Sequence, residues 1–391
     1  MAGLYLHIPF CEHKCVYCDF YSVAPKEHPD AYRALINRFL LSLHCEIKLR
    51  AGDPRFGTSY KTIFFGGGTP SLLSASNVDE ILNTLNSSFS IADGAEVTLE
   101  TNPGTVDEQK LRDYRQAGVN RISFGVQSFH DDDLKFLTRI HSASQAKEAL
   151  MNARRAGFEN LSIDLMFSLP NQSLGRWESN LEQAMELGPN HISCYSLIVE
   201  PNTPLARMVE SKQIAPLPGE QDADLYEFTM KFLSAHGYEQ YEVSNFAKPG
   251  FRSQHNSGYW NHDHYLGFGP SAHSFWDERR WWNVSNVVEY SQRLERDVLP
   301  VSGEEHLNPE QLIEEGIFLG LRGDGIDTTE FTKKYRLEFL TSFSQIIEEL
   351  VEEKLAKLVG PRLKLTSKGY LLCDEICSSF LKASAISPAA A

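Results

Sequence analysis

Residues 7–18 of the chain read HIPFCEHKCVYC and follow a short apolar stretch. Three of the seven cysteines, Cys11, Cys15 and Cys18, fall within this segment with the spacing C-x3-C-x2-C. Three thiolates on one loop can bind three irons of a 4Fe–4S cluster and leave the fourth iron open to an exchangeable ligand. The motif therefore predicts an iron–sulfur site at which an outside molecule can receive an electron.

Two other uses of these cysteines are less favoured. A disulfide framework is disfavoured because three clustered cysteines cannot all pair with one another. A structural zinc site usually takes four ligands from paired C-x2-C knuckles. His13 could complete such a set, but no second knuckle follows. The four other cysteines are predicted to be ordinary buried or half-buried thiols: Cys45, Cys194, Cys373 and Cys377.

Composition indicates a globular protein of two or three domains, because 391 residues exceed one ordinary core and 42% of them are hydrophobic. No apolar run reaches the roughly 20 residues that cross a bilayer, so no membrane span is expected. No signal or transit peptide is recognised, and we expect the protein to stay in the reducing cytoplasm. The net charge of −15 argues against a general nucleic-acid binder.

The first two-thirds of the chain alternates predicted strands with amphipathic helices. The strands are expected at residues 4–8, 62–65, 97–101, 121–127, 161–166 and 192–197. The helices are expected at residues 31–50, 78–89, 106–117, 144–156 and 176–187, and a glycine follows each of the last three: Gly118, Gly157 and Gly188. This rhythm predicts a parallel sheet covered by helices, which could be a curved partial barrel or a flat doubly wound sheet.

A second motif, GGGTP at residues 66–70, follows the second predicted strand. Together with the cysteine motif and Tyr17 before the last cysteine, it resembles the radical S-adenosylmethionine (SAM) superfamily. The string YLHIPFC at residues 5–11 is similar to one branch, the oxygen-independent coproporphyrinogen III oxidase-like family. Within that family the chain most resembles the haem chaperones, along nearly its whole length.

The resemblance implies an α/β fold, a partial (β/α)6 radical SAM barrel with a smaller α+β or helical C-terminal domain. It also implies a 4Fe–4S cluster on Cys11, Cys15 and Cys18, with SAM bound beside it. Bare glycine backbone can approach a ligand closely, and an arginine suits a carboxylate, although a tight turn and a helix cap are blander explanations. The implied SAM contacts are Tyr5, Tyr17, Gly67, Gly68, Thr69, Glu100, Gln127, Arg139 and Asp164.

The segment after residue 237 is rich in histidine and tryptophan. An aromatic subdomain interface with hydrogen-bonded histidines would explain this composition. A site for a flat, iron-bearing macrocycle would explain it too, because aromatic rings pack on the macrocycle and an imidazole can ligate its iron. The motif HNxxYW matches the one implicated in haem binding by the chaperone branch. The resemblance thus implies a haem site, with His255 as the best ligand candidate, at His255, Asn256, Tyr259 and Trp260.

Three regions are predicted along the chain. Residues 1–237 form the barrel, residues 238–303 form an aromatic and histidine-rich connecting segment, and residues 304–391 form a helical domain similar to a winged helix. The acidic helices of the last region disfavour DNA, and a lid or docking role is expected there instead.

Two functions compete. A haem chaperone would bind haem and pass it to an acceptor protein, whereas an oxidase of porphyrin biosynthesis would use SAM and an electron donor to decarboxylate a porphyrinogen. The oxidases of the family carry a further cysteine two residues after the third and a long N-terminal extension. Here Asp19 and Phe20 follow Cys18, and Tyr5 is almost the first residue. With the HNxxYW motif, these features favour the chaperone over an active enzyme; a purely structural zinc protein is a third, less favoured class.

Overall fold

A computed structural model describes residues 2–25 and 29–386. Within these ranges the central layer is a sheet of twelve strands. The strands are β1 (Ala2–Ile8), β2 (Ser59–Gly67), β3 (Ser90–Thr101), β4 (Arg121–Gln127), β5 (Asn160–Phe167), β6 (His191–Ser196), β7 (Glu239–Gln240), β8 (Asn245–Ala247), β9 (His264–Phe268), β10 (His273–Trp276), β11 (Arg279–Asn283) and β12 (Val301–His306).

Strands β1 to β6 lie side by side in chain order, and each pairs in parallel with the next. A parallel pair needs a crossover connection, and helices supply it. The predicted α/β fold and its six strands are therefore confirmed. The crossover helices are α1 (Pro29–Ala51), α2 (Ala75–Ser88), α3 (Glu108–Gln116), α4 (Asp131–Phe136), α5 (Ala143–Arg155) and α6 (Leu174–Leu187).

The predicted glycine ends of α3, α5 and α6 are confirmed by their backbone angles. Gly118, Gly157 and Gly188 have φ values of 110°, 90° and 58°. This left-handed region costs a side-chain-bearing residue energy, and glycine enters it freely. Each helix can thus stop and turn directly back towards the sheet.

The segment after residue 237 extends both edges of the sheet. Strand β8 pairs antiparallel with β6, while β9 pairs parallel with β1 and leads on to β10, β11 and β12. The helices of this part and of the stretch before it are α7 (Pro204–Glu210), α8 (Gly219–Ala235), α9 (Gln254–Trp260) and α10 (Val287–Leu294).

The C-terminal region has its own apolar core, which includes Ile317, Phe339, Leu363 and Phe380. Three short strands form a second sheet in the order β13-β15-β14. The predicted boundaries at residues 237 and 303 stay predictions. The elements are α11 (Pro309–Arg322), β13 (Ile326–Asp327), α12 (Thr328–Tyr335), α13 (Phe339–Ser342), α14 (Ser344–Glu352), β14 (Ala356–Val359), β15 (Arg362–Leu365), α15 (Ser367–Leu371) and α16 (Cys373–Ile386).

In the part of the chain that the structure describes, no helix is both long and apolar enough to cross a bilayer.

A buried carboxylate attaches α1 to the β9 edge of the sheet. Glu46 is fully buried and accepts hydrogen bonds from the Gly269 amide at 2.9 Å, the Asn283 side-chain amide at 2.7 Å and the Tyr290 hydroxyl at 2.7 Å. Burial raises the pKa of Glu46. Three buried donors from three separate segments thus share one acceptor side chain, and the Asn283 amide also donates to the Gly269 carbonyl.

Replacing Glu46 should therefore be costly. Glu46→Ala leaves three buried donors poorly satisfied and should lower the free energy of unfolding by about 3 kcal/mol, measured by urea denaturation. Tyr290→Phe is the control, because it removes only one of these hydrogen bonds and should cost about 1 kcal/mol. Equal losses in the two variants would contradict this account.

Candidate functional site

A cleft of about 420 Å³ lies at the carboxyl ends of the parallel strands. In α/β folds the residues at these ends form the ligand sites, because the loops that follow the strands converge there. The cleft brings together eleven of the residues predicted for the cluster and SAM: Cys11, Cys15, Tyr17, Cys18, Gly67, Gly68, Thr69, Glu100, Gln127, Arg139 and Asp164.

Tyr5 is the one predicted SAM contact that does not line this cleft. Its ring lies behind the wall, with its centroid 6.2 Å from that of Phe64 and 6.3 Å from that of His255. Its hydroxyl lies 3.2 Å from Nδ1 of His7. Tyr5 therefore supports the wall between the cleft and α9, and a role in SAM contact stays a prediction.

The loop that carries the three cysteines is pinned by backbone hydrogen bonds. The Cys11 amide donates to the Val23 carbonyl at 3.0 Å, and the Val23 amide donates to Pro9 at 2.6 Å. The Thr69 hydroxyl lies 3.5 Å from Cys11 Sγ and donates to it. Burial raises the pKa of the Cys11 thiol, and it raises that of Cys18 to about 11. These thiols stay protonated until a metal offsets the cost of their charge.

All three cysteines are free thiols. Among residues 2–25 and 29–386, no three His, Cys, Asp or Glu side chains are arranged so that they could hold one metal ion. The three cysteines nevertheless line one cleft from one loop, and three thiolates are the donor set that a cluster with an open iron requires. Cluster ligation stays a prediction that this donor set fits.

The glycine triplet holds the cysteine loop against β2. The Gly68 amide donates to the Ile8 carbonyl at 2.9 Å, and the Thr69 amide donates to Phe10 at 2.7 Å. A Cβ on Gly68 would lie 2.7 Å from the Phe10 oxygen, which is closer than atoms can approach. Gly67 has a φ of 104°, and a Cβ there would lie 2.6 Å from the His7 ring. The glycines therefore serve close packing, a role that the sequence did not reveal.

Two carboxylates face the cleft from neighbouring parts of the sheet. Burial, and then the charge of Asp164, raise the pKa of Glu100 to about 8. Burial also raises the pKa of Asp164, whose Oδ1 accepts a hydrogen bond from the Ser123 hydroxyl at 3.3 Å. The Gly67 amide also donates to Glu100. Such a pair attracts a cationic group or hydroxyl donors.

Arg139 supplies a positive charge to the cleft, which Lys14 also lines. Its Nη2 donates to the Gly125 carbonyl at 2.7 Å, and its Nη1 lies 3.4 Å from Cys15 Sγ. Its Nε is buried and has no hydrogen-bond acceptor among the described residues. Strand β4 is irregular at this point: the register of β4 against β5 shifts between Gly125 and Gln127, and Gln127 has a φ of 68°. A guanidinium with spare donors fits a carboxylate-bearing ligand, such as an amino acid.

A second cavity of about 560 Å³ adjoins the cleft. Three of the four HNxxYW residues, Asn256, Tyr259 and Trp260, line it together with Tyr265 and Phe275. We call it the aromatic cavity. Its volume is within the usual range of ligand sites, roughly 300–1,000 Å³.

Tyr195 lines both the cleft and the aromatic cavity. The sequence analysis did not predict Tyr195 as a site residue, although its position at the carboxyl end of β6 places it where ligand sites form. Its neighbours Ser196 and Leu197 also line the cleft. A tyrosine shared by two ligand-sized spaces places those spaces in contact.

His255, the predicted haem ligand, has a partner on each ring nitrogen. Its Nδ1 lies 2.7 Å from the Thr62 hydroxyl and its Nε2 lies 2.9 Å from the Tyr259 hydroxyl. The ring stacks on Phe64 at a centroid distance of 4.9 Å and is 3% exposed. Burial lowers the pKa of His255 to about 3. Because both nitrogens are engaged and the ring is covered, iron ligation by His255 would require one of these hydrogen bonds to break, and its role as a haem ligand stays a prediction.

The raised pKa of Glu100 predicts a pH-dependent stability. The folded cofactor-free protein holds a proton on Glu100 up to about pH 8, whereas the unfolded chain loses it near the usual glutamate value. The contribution of this group is therefore complete at low pH and is lost as the pH rises through about 8. Glu100→Gln should raise the melting temperature relative to wild type at pH 8.5 and change it little at pH 5.

The exposed Glu148 on α5 provides the matched control. Glu148→Gln should give no such divergence between the two pH values in thermal melts under reducing conditions. A Glu100→Gln effect that is the same at both pH values would contradict the assignment.

Comparison with known proteins identifies relatives over the whole chain. The model of the radical SAM superfamily matches residues 5–184, and that of the HemN C-terminal domain matches residues 307–372. In structure the chain is similar to the coproporphyrinogen III oxidase HemN of Escherichia coli, with a TM-score of 0.81 and 24% identity, over 97% of this chain and 89% of that one. At this identity the likeness establishes the fold.

Curated relatives are closer in sequence. The "Heme chaperone HemW" of Bacillus subtilis is 37% identical over 97% of this chain and 99% of its own length. The protein of the same name from Escherichia coli is 44% identical over 69% of each chain. The mitochondrial radical SAM domain-containing protein 1 of Danio rerio is 34% identical over 97% of this chain and 87% of its own. With its cysteine loop, its parallel sheet and this full-length similarity, the chain belongs to the HemW family within the radical SAM superfamily.

Proposed function

We propose that this protein is a haem chaperone that holds a 4Fe–4S cluster and SAM in its cleft and haem in the adjoining aromatic cavity. The observation that carries the proposal is the juxtaposition of the two spaces, which share Tyr195, in a chain whose full-length relatives are named haem chaperones. Haem is the cargo, and an acceptor protein receives it.

The cleft offers a complementary group for each part of the expected cofactors. Cys11, Cys15 and Cys18 would hold the cluster, which supplies one electron at its open iron when bound. The carboxylates of Glu100 and Asp164 would accept hydrogen bonds from the ammonium or ribose hydroxyls of SAM. Arg139 would bind its carboxylate through the unused guanidinium donors.

The aromatic cavity suits a flat apolar macrocycle. Tyr259, Trp260, Tyr265 and Phe275 present ring surfaces, which bury large apolar area and stack on planar ligands. The half-buried Asn256 adds a polar group at the wall. An exposed ring at Tyr195 would let bound haem and the occupied cleft influence each other.

The oxidase is the alternative function, and the cysteine motif disfavours it. Asp19 and Phe20 follow Cys18, so the further cysteine of the family oxidases is missing. The likeness to HemN does not separate the two, because chaperones and oxidases of this family share the fold.

The proposal implies two partners and a compartment. An electron donor would reduce the cluster, and an acceptor would take the haem. A reducing compartment, the cytoplasm, suits a chain whose seven cysteines are all free thiols.

Cluster binding is tested with single cysteine variants. Anaerobic reconstitution of the wild type should give about four iron and four sulfide per chain, and Cys15→Ala should lose the cluster absorbance because two thiolates cannot retain the cubane. Cys45→Ala removes a half-buried thiol that does not line the cleft and should keep full iron content. One zinc per chain in freshly purified protein would contradict the cluster assignment.

Haem binding and oxidase activity are tested on one reconstituted preparation. Titration with haem should saturate at one equivalent with a shifted Soret band, and the loaded protein should transfer haem to an apo-acceptor. With SAM and a reductant, coproporphyrinogen should remain unconverted. Conversion to protoporphyrinogen, or a titration without saturable binding, would overturn the chaperone proposal.

A further inference from the structure

Helix α9 places a histidine and a tyrosine in direct contact beside the aromatic cavity. His255 and Tyr259 lie one turn apart, and His255 Nε2 is 2.9 Å from the Tyr259 hydroxyl. Their rings meet edge to face, with centroids 4.9 Å apart at 84°. Tyr259 lines the cavity, whereas His255 does not. The tyrosine therefore stands between the histidine and any ligand in that space.

Four contacts fix the histidine in this position. Its backbone amide donates to Glu96 Oε1 at 3.2 Å, and its Nδ1 lies 2.7 Å from the Thr62 hydroxyl. Phe64 covers one face of the ring. On the remaining side, a Cβ on Gly3 would lie 3.1 Å from the ring, so β1 packs closely against it. His255 cannot turn towards the cavity without breaking the contact between α9 and the sheet.

Other histidines near the cavity are also engaged. His262 stacks on Phe275 at 4.3 Å, its Nδ1 lies 3.1 Å from the Tyr335 hydroxyl, and its Nε2 lies 3.3 Å from Glu315 Oε2. His264 stacks on Trp276, and its Nε2 lies 3.4 Å from Asp277. His262 also lines the aromatic cavity, but its ring is stacked on Phe275 and its Nε2 faces the Glu315 carboxylate, whereas His264 does not line the cavity. Tyr259 differs from both, because it lines the cavity and its hydroxyl has an imidazole partner behind it.

Resting on the proposed haem function, we propose that Tyr259 is the axial ligand of ferric haem and that His255 is a positioning residue that acts through it. Tyrosinate is an established ligand of haem iron in proteins, and it favours the ferric state. A hydrogen-bonded partner on a ligand fixes its orientation and tunes its basicity. The His255–Tyr259 contact is such a partnership.

Binding to Tyr259 replaces one ligand of the ferric iron by another, and the oxidation state of the iron does not change. The O–H bond of Tyr259 breaks, and its proton leaves with the water that the iron releases, while His255 Nε2 keeps its contact with the phenolate oxygen. The phenolate oxygen forms a bond to the ferric iron, and the water that the iron carried in solution leaves. Reducing the iron weakens its bond to a hard anionic oxygen, so ferrous haem should be held less tightly.

The test compares the spectra of cluster-loaded protein with ferric haem. Wild type should show the visible charge-transfer band and the resonance Raman modes of an iron-bound phenolate. Tyr259→Phe keeps the ring and should lose both signals together with roughly 100-fold in affinity. His255→Gln should keep the phenolate signals and lose roughly tenfold in affinity. Tyr265→Phe is the matched control, because it removes another phenol of the same cavity and should leave the signals unchanged.

The outcomes separate this inference from the function on which it rests. A wild-type spectrum of histidine ligation that survives Tyr259→Phe and disappears in His255→Gln, His262→Gln or His264→Gln overturns the tyrosine assignment and leaves the chaperone intact. Phenolate signals that disappear in Tyr265→Phe also overturn it. Absence of saturable haem binding by the wild type overturns both. If Tyr259→Phe fails to fold, a wild-type spectrum without phenolate signals still overturns the assignment, and Tyr265→Phe and Tyr195→Phe test the other phenols of the cavity.

Discussion

The close approach of the cysteine loop to strand β2 is the constraint on which the site depends. Two amides, those of Gly68 and Thr69, donate to carbonyls on either side of Pro9 at 2.9 and 2.7 Å. No side chain fits at Gly68, because a Cβ there would meet the Phe10 oxygen at 2.7 Å. The loop is therefore attached to the rigid parallel sheet rather than projecting freely. A cluster ligand set needs this rigidity, since ligand geometry determines which metal group is held.

The same sheet places the two ligand spaces beside each other. Strands β3 and β5 carry the carboxylates of Glu100 and Asp164, and Arg139 lies in the loop between α4 and α5. The segment after residue 237 returns to pair with β6 at one edge and β1 at the other. Helix α9 is carried between those edge strands and packs its buried histidine against Thr62 and Phe64 of β2. The aromatic cavity is thus a product of the extended sheet, and Tyr195 of β6 is its shared wall with the cleft.

The polar residues show how burial alters residue chemistry. The family resemblance implied Glu100 and Asp164 as SAM contacts, but only the fold shows that burial raises their pKa values. The family resemblance implied His255 as an iron ligand, whereas the fold buries its ring and places the hydroxyls of Thr62 and Tyr259 at its two nitrogens. Which groups are free for a ligand depends on neighbours that are distant in sequence, such as Thr62, and no local pattern reports them.

The sequence by itself predicted the cysteine site, the six parallel strands and the family, because each rests on local patterns: cysteines separated by three and two residues, apolar runs between helices, and glycines at helix ends. It also placed eleven residues on one cleft, since carboxyl ends of parallel strands meet at one edge. Only the tertiary structure decided that Tyr5 lies behind the wall, that Gly68 serves packing, and that Tyr259 rather than His255 faces the aromatic cavity. The physical reason is that burial and hydrogen-bond partners arise from contacts between segments far apart in the chain, such as Gly68 with Phe10 and Thr62 with His255, which sequence spacing does not encode.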